Sequence, residues 1–323
     1  MSVRASLTGL LSAVLLAGCA TVPDDDEARM QAAARDAAAA VQSVGEAMQA
    51  VRAKPAGPLE ADAPDSMRWL YGSGEAAGVS IQAWRQLADY TTTITRLRRV
   101  PQAVVMGLDG EVRQPACVID GRAKPFAAIF DVDETLILNA GYEAWLAEGN
   151  AYSSATWKEW ERTGAPLARP VPGAAEGLAR LREASVTPVF NTNRQYSAEG
   201  AAAAIAAAGL GEAVHGDTLF LRGDDGTNSG GKDARRAMIA ERYCVIALAG
   251  DNLGDFADVF NAEGLGVQER RALAASGDYA RLWGNGWFLL PNPVYGDSIT
   301  GSIGEVFPAD QRWAPAATTQ NRR

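Results

Sequence analysis

Short apolar runs alternate with helix-period segments from about residue 126 onward. The runs are Phe126–Phe130, Val186–Phe190, Thr218–Leu221, Cys244–Ala249 and Trp287–Leu290. They are shorter than ordinary helices and mostly bounded by Gly, Pro, Asp or Asn, so each predicts a strand. Between them, the apolar spacing predicts helices over Gly173–Ala184, Ala198–Ala208 and Lys232–Arg242. Strands that are apolar throughout and alternate with helices imply an α/β fold, a mainly parallel sheet with helices on both faces. Ligands of such sheets sit beyond the carboxyl ends of the strands. The residues that follow each run are therefore where chemistry is expected.

The first half of the chain reads differently. Residues 66–99 form a helical block with Trp69, Leu70, Ile81, Trp84 and Leu87 as its core positions. Upstream, Ala37, Val41, Val44, Met48 and Val51 make a helical stripe of small residues, ended by the Pro-containing segment Lys54 to Pro64. Earlier still, Arg4 precedes the apolar run Leu7 to Leu16, which is too short to span a bilayer and reads as a secretory signal. Leu16-Ala17-Gly18-Cys19 resembles the bacterial lipobox, which implies a diacylated Cys19 and a stable lipid anchor. Ala20 rather than Asp after that Cys favours the outer membrane by resemblance to lipoprotein sorting rules. The expected organisation is a signal over 1–18, a lipidated stalk over 19–65, a globular body over 66–307 and a loose tail over 308–323. Within the body, accessory helical segments are expected at about 66–100 and 140–170.

Composition narrows the options. With 323 residues, 47% of them hydrophobic, the chain can bury one sizeable core. A net charge of −9 argues against nucleic acid as a partner, because phosphate backbones call for Lys/Arg stripes. The single histidine, His215, excludes sites built on several imidazoles and reads as an exposed loop residue. An exported chain meets oxidising conditions. Cys244 opens an apolar run and reads as a buried thiol, with a Cys117–Cys244 disulfide as the alternative.

The sharpest feature follows the first run, in Asp131-Val132-Asp133-Glu134-Thr135-Leu136. Carboxylates at i and i+2 leaving a strand point the same way and repel, so the site wants a cation or a shared proton. Asp131 is placed to be a nucleophile; Asp133 is placed to protonate a leaving alkoxide and then to activate water. A second acid pair, Asp251 and Asp255, follows the run ending at Ala249. Carboxylate oxygens without nearby imidazole or thiolate suit a hard cation, above all Mg²⁺. Thr192, in Asn191-Thr192-Asn193-Arg194, and Lys232, at a helix start, offer a hydroxyl and an ammonium for phosphoryl oxygens.

Asp-x-Asp-x-Thr, Thr192, Lys232 and Gly250-Asp251-x-x-x-Asp255 resemble, in order, the four motifs of the haloacid dehalogenase (HAD) superfamily. The longer strings Asp131 to Tyr142 and Gly250 to Phe256 look like the two signatures of class C bacterial acid phosphatases, a group that includes outer-membrane lipoprotein 5′-nucleotidases. Further similarity lies in Arg169 to Ala174, Asn193-Arg194, Lys232 to Arg236 and Leu290 to Gly296, so the resemblance spans roughly residues 66–305. It implies a HAD-like Rossmannoid sheet with a smaller helical cap and Mg²⁺-dependent hydrolysis of phosphate monoesters, nucleotides included, through an aspartyl-phosphate on Asp131. It further implies that Asp133 acts as acid then base and also reaches the metal through its backbone carbonyl. Thr192 and Lys232 would bind phosphoryl oxygens, Asp251 would ligate Mg²⁺, and Asp255 would support the metal shell or orient Lys232. Val132 and Leu136 depart from the usual motif residues, at positions that take no part in chemistry.

Protonating a leaving group at neutral pH requires a raised pKa at Asp133, so an acidic optimum is expected. Aromatics crowd the segment after the first motif. Tyr152, Trp160 and the later Tyr295, with Asn193 and Arg194, are the candidate substrate contacts, whereas Trp145 and Trp157 read as core. A P-loop in Gly226 to Asp233 is rejected: Asp233 stands where Ser or Thr must hold Mg²⁺, and no apolar strand ends at Gly226. A phosphotransferase of the same fold and a non-catalytic, ligand-binding surface lipoprotein stay open as alternatives. The partners expected are small phosphomonoesters and the membrane, and a homodimer is left open.

Overall fold

The apolar runs fold as strands in the computed structural model, which describes residues 62–97, 100, 102–106 and 114–314. The signal segment, Cys19, nearly all of the stalk and the end of the tail lie outside the described residues. The strands are β1 (Val118–Ile119), β2 (Arg122–Ala123), β3 (Phe126–Phe130), β4 (Ile137–Leu138), β5 (Arg169–Pro170), β6 (Thr187–Asn191), β7 (Leu219–Phe220), β8 (Cys244–Gly250) and β9 (Trp287–Leu289). Five of them form one sheet in the order β7-β6-β3-β8-β9, parallel at every pairing. Every residue of β8 is buried, as a strand covered on both faces must be. The expected parallel α/β sheet is the one observed.

Register places the chemistry. Phe130 lies opposite Phe190 on one side and Ala249 on the other. The residues that leave β3, β6 and β8 therefore emerge side by side at one edge.

The helical block expected over 66–99 is two helices, Asp65–Gly72 and Gly74–Thr95, split at Ser73. The Ser73 hydroxyl accepts from the Ala76 amide at 3.0 Å, and this N-cap requires an extended rather than a helical residue. Leu70, Trp84 and Leu87 are buried, while Trp69 and Ile81 are only partly so. Trp84 stacks on Phe130 with ring centroids 5.3 Å apart. It also lies over Gly177 of the helix Ala174–Glu183, where a Cβ would run into its ring. The second helix thus braces the strand that delivers Asp131.

β4 and β5 pair antiparallel and close the base of an insertion carrying the helices Ala140–Ala147 and Ser154–Thr163. Cys117 and Cys244 form a disulfide with Cα atoms 4.7 Å apart. Cys244 is therefore not the free thiol that its apolar run suggested. The two are 127 residues apart, a spacing with no local signal, so only the fold brings them together. His215 is exposed, with Nε2 3.0 Å from Asp224. Among the described residues no helix is long and apolar enough to cross a membrane.

Candidate active site

Asp131 leaves β3 almost fully buried and faces Lys232, the residue that caps the helix Asp233–Arg242. The Lys232 ammonium donates to Asp131 and, at 2.7 Å, to Asp255. Asp255 folds back over Gly250, where a Cβ would collide with it, and its Oδ2 accepts from the Asn252 amide at 2.9 Å. Asp251 accepts from Asn292 Nδ2 at 2.6 Å and from Thr135 at 3.4 Å. Two buried arginines of the Lys232 helix hold the surrounding loops. Arg235 donates to the Thr192 carbonyl and, at 2.6 Å, to Asn193 Oδ1. Arg236 donates to the carbonyls of Gly254 and Asp255 at 2.9 and 2.7 Å.

These neighbours set the charges. Burial pushes the Asp131 carboxyl up to about 7 against the pull of Lys232, and the nearby Asp255 and Asp133 add to the rise. Burial, then Asp131 and Asp255, lift Asp251 well above the usual carboxylate range. Burial works against the charge on Lys232, but Asp131 and Asp255 outweigh it and hold the ammonium above its ordinary value. Asp131, Asp251 and Asp255 each offer a carboxylate oxygen within 4.8 Å of the others. Crowded hard oxygens, with no imidazole or thiolate among them, fit a hard divalent cation, whose charge would offset their mutual repulsion.

Asp133 stands in a different corner. Arg194, itself buried, donates through Nη2 at 2.7 Å and through Nε at 3.0 Å to its Oδ1. Asn139 Nδ2 adds a bond at 2.9 Å. Burial acts to raise this carboxyl, but the Arg194 charge and these hydrogen bonds outweigh it and hold Asp133 below the usual range. The raised value expected from the sequence is therefore not found, because the Arg194 guanidinium and the Asn139 amide favour the ionised form. The Asp133 carboxylate also lies outside the acid trio.

The other predicted residues fall into distinct places. Thr192 is fully buried, with its hydroxyl 3.5 Å from Asp133. Asn193, Arg194, Tyr152 and Tyr295 line a cavity of ≈ 910 Å³ above Asp131 and Lys232. Arg194 does so with its guanidinium already committed to Asp133 and Asn139. Trp160, expected among the substrate contacts, turns its indole to Asn139 at 2.8 Å and is not among the cavity-lining residues. Trp157, expected in the core, lines the cavity instead. It lies on the helix Ser154–Thr163, with its ring against Tyr142 at a centroid distance of 5.1 Å.

Three residues that sequence reasoning missed complete the site. Asn139 ties Asp133, Arg194, Trp160 and Glu134 together. Glu134, buried at a positive φ of 55°, accepts from Tyr71 at 3.1 Å, from the Asn139 amide at 2.8 Å and from Tyr295. Burial and the adjacent Asp133 push its carboxyl up to about 7. Glu143 lines the cavity wall. Its signal in the sequence was its position as the sole charged residue of the apolar stretch Ala140–Ala147.

A parallel sheet with a buried carboxylate, an ammonium and an acid trio meeting at its strand ends defines a HAD-type phosphohydrolase. The chain belongs to the HAD superfamily, subfamily IIIB (acid phosphatase), whose family model matches residues 75–298. It is a phosphomonoester hydrolase acting on small phosphate esters, and phosphatases of this superfamily use a divalent metal. The fold is similar to that of the class C acid phosphatase from Bacillus anthracis, at a TM-score of 0.55 and 21% identity, covering 72% of this chain and 84% of that one. The same enzyme with tungstate bound matches at 0.55 and 20%, with the same coverage.

Proposed function

We propose that the chain is a Mg²⁺-dependent acid phosphatase that hydrolyses monoesters, nucleoside 5′-monophosphates among them, through an aspartyl-phosphate on Asp131. The observation that carries the reading is the meeting of Asp131, Lys232, Asp251 and Asp255 at the floor of one cavity. A Mg²⁺ held by Asp131, Asp251 and Asp255 would offset the negative charge of the phosphoryl oxygens and of the trio itself. Lys232 steadies the Asp131 carboxylate and meets one phosphoryl oxygen. Thr192 meets another when the ester displaces its long contact to Asp133.

Asp133 begins ionised against Arg194, so the first proton has to arrive with the substrate. A monoester monoanion brings one, since the second ionisation of such esters lies near about 6. Asp131 bonds to phosphorus while the ester oxygen departs. Asp133 relays the substrate's own proton to that oxygen and is left ionised. It then takes a proton from the water that attacks the aspartyl-phosphate, which frees Asp131, and passes that proton to the departing phosphate so that it ends the cycle ionised. An acidic optimum follows from the substrate's protonation rather than from a raised Asp133.

Tyr152, Trp157 and Tyr295 offer ring faces for a base of any identity, which supports nucleotides as substrates. A lipidated Cys19 tethering the body to the outer membrane belongs to the same proposal. Incorporation of labelled palmitate, lost in Cys19→Ser, tests the tether. Phosphate release from a panel of 5′-nucleotides, sugar phosphates and aryl phosphates, with and without EDTA, tests the activity. Turnover of the whole panel that is indifferent to EDTA would contradict the metal.

A further inference from the structure

Glu143 is the one charged side chain of the helix Ala140–Ala147, and it points inward rather than to solvent. It is 5% exposed and lines the cavity. Among the described residues its carboxylate has no hydrogen-bond or ion-pair partner. The Tyr71 phenol, whose ionisation it affects, donates to Glu134 instead. Burial alone pushes the Glu143 carboxyl up to about 7. Its oxygens keep access to the cavity, where a ligand can supply the missing partner.

The surroundings say what kind of ligand. Tyr142, Tyr152 and Trp157 line the same cavity, and the Tyr142 ring makes edge contacts with the other two at centroid distances of 6.5 and 5.1 Å. Aromatic rings and a carboxylate lining one cavity are surroundings that favour an organic cation. The trio at the floor faces the phosphate end, so Glu143 is left for the leaving group.

Resting on the phosphatase reading above, we propose that Glu143 and the Tyr142–Trp157 wall form a subsite for a positively charged leaving group. It selects phosphomonoesters whose alcohol carries an ammonium or a comparable cation. Glu143 is a specificity-determining residue and takes no part in the bond-breaking step.

The test compares three aryl phosphates of similar size, 4-(aminomethyl)phenyl, 4-(hydroxymethyl)phenyl and 4-ethylphenyl phosphate, at neutral pH with Mg²⁺. The full chain is assayed as wild type, Glu143→Gln and Glu143→Leu. Wild type should favour the aminomethyl ester over the ethyl ester by about tenfold or more in kcat/KM, mostly through KM. Glu143→Gln should erase that preference, mostly by raising KM for the aminomethyl ester, and Glu143→Leu should invert it. Equal losses on all three substrates, or a preference that survives Glu143→Gln, would overturn the subsite and leave the phosphatase intact. Failure of wild type to hydrolyse any of the three would overturn the underlying reading as well.

Discussion

Asp131 and Asp133 leave the same strand two residues apart, yet they occupy opposite electrostatic corners. Asp131 shares its corner with two further acids and one ammonium, and burial carries its carboxyl up to about 7. Asp133 is gripped by a guanidinium and an amide and is held below its usual range. Sequence spacing made the two acids look alike. What separates them is which cation the fold sends to each: Lys232 from the start of a helix, shared with Asp255, and Arg194 from beyond β6, which binds Asp133 and Asn139. One corner is short of positive charge, which a divalent ion would supply. The other is already neutralised and is ready to accept a proton.

The most severe way to break this contrast is Asp131→Asn. It should lower phosphate release by about 10⁴-fold or more, with the far-UV circular dichroism unchanged. Chelation comes next. EDTA should cost about 10³-fold, recovered on adding Mg²⁺, because the Asp131 corner lacks positive charge and the Asp133 corner does not. Arg194→Gln attacks the other side. Losing charge-assisted bonds should cut kcat about 10- to 100-fold. Burial, no longer opposed, should then raise the Asp133 pKa and move the acid limb of the pH–kcat profile upward. Arg194→Lys should restore part of both.

A smaller effect concerns stability. Asp131, Glu134 and Glu143 are pushed up to about 7 from ordinary values of 3.8, 4.5 and 4.5. A raised folded pKa means that the native state binds more protons than the unfolded chain between those limits. Stability is therefore fully present below the lower value and falls as pH rises through about 7. Melting in EDTA should drop by several degrees across that window. Mg²⁺ should oppose the drop, more strongly at the high end, because it binds only the ionised trio.

Much of this was legible in the residues. Strand runs such as Phe126–Phe130 and Cys244–Ala249 are apolar throughout, and their register carries Asp131 and Asp251 to one edge without further information. Asp255 and Lys232 could be placed by the same topology. The partner of Asp133 could not. Arg194 follows Thr192 in the chain, and nothing in that local string says that its guanidinium crosses to another strand's acid and to Asn139. Trp157 and Trp160 were hard to tell apart for a similar reason: three positions apart on one helix, both meet Tyr142, and only the bond from the Trp160 indole to Asn139 sets them apart. The Cys117–Cys244 pair depends on contacts 127 residues apart and left no trace in either local sequence.

The division of labour between the two acids is tested most directly by trapping the covalent intermediate. Enzyme mixed with a ³²P-labelled monoester and Mg²⁺, acid-quenched within one turnover and digested, should carry label on the peptide containing Asp131. Fragmentation should assign the label to Asp131 itself, and the Asp131→Asn protein should carry none. Label on Asp133, or burst-phase turnover with no labelled peptide at all, would contradict it.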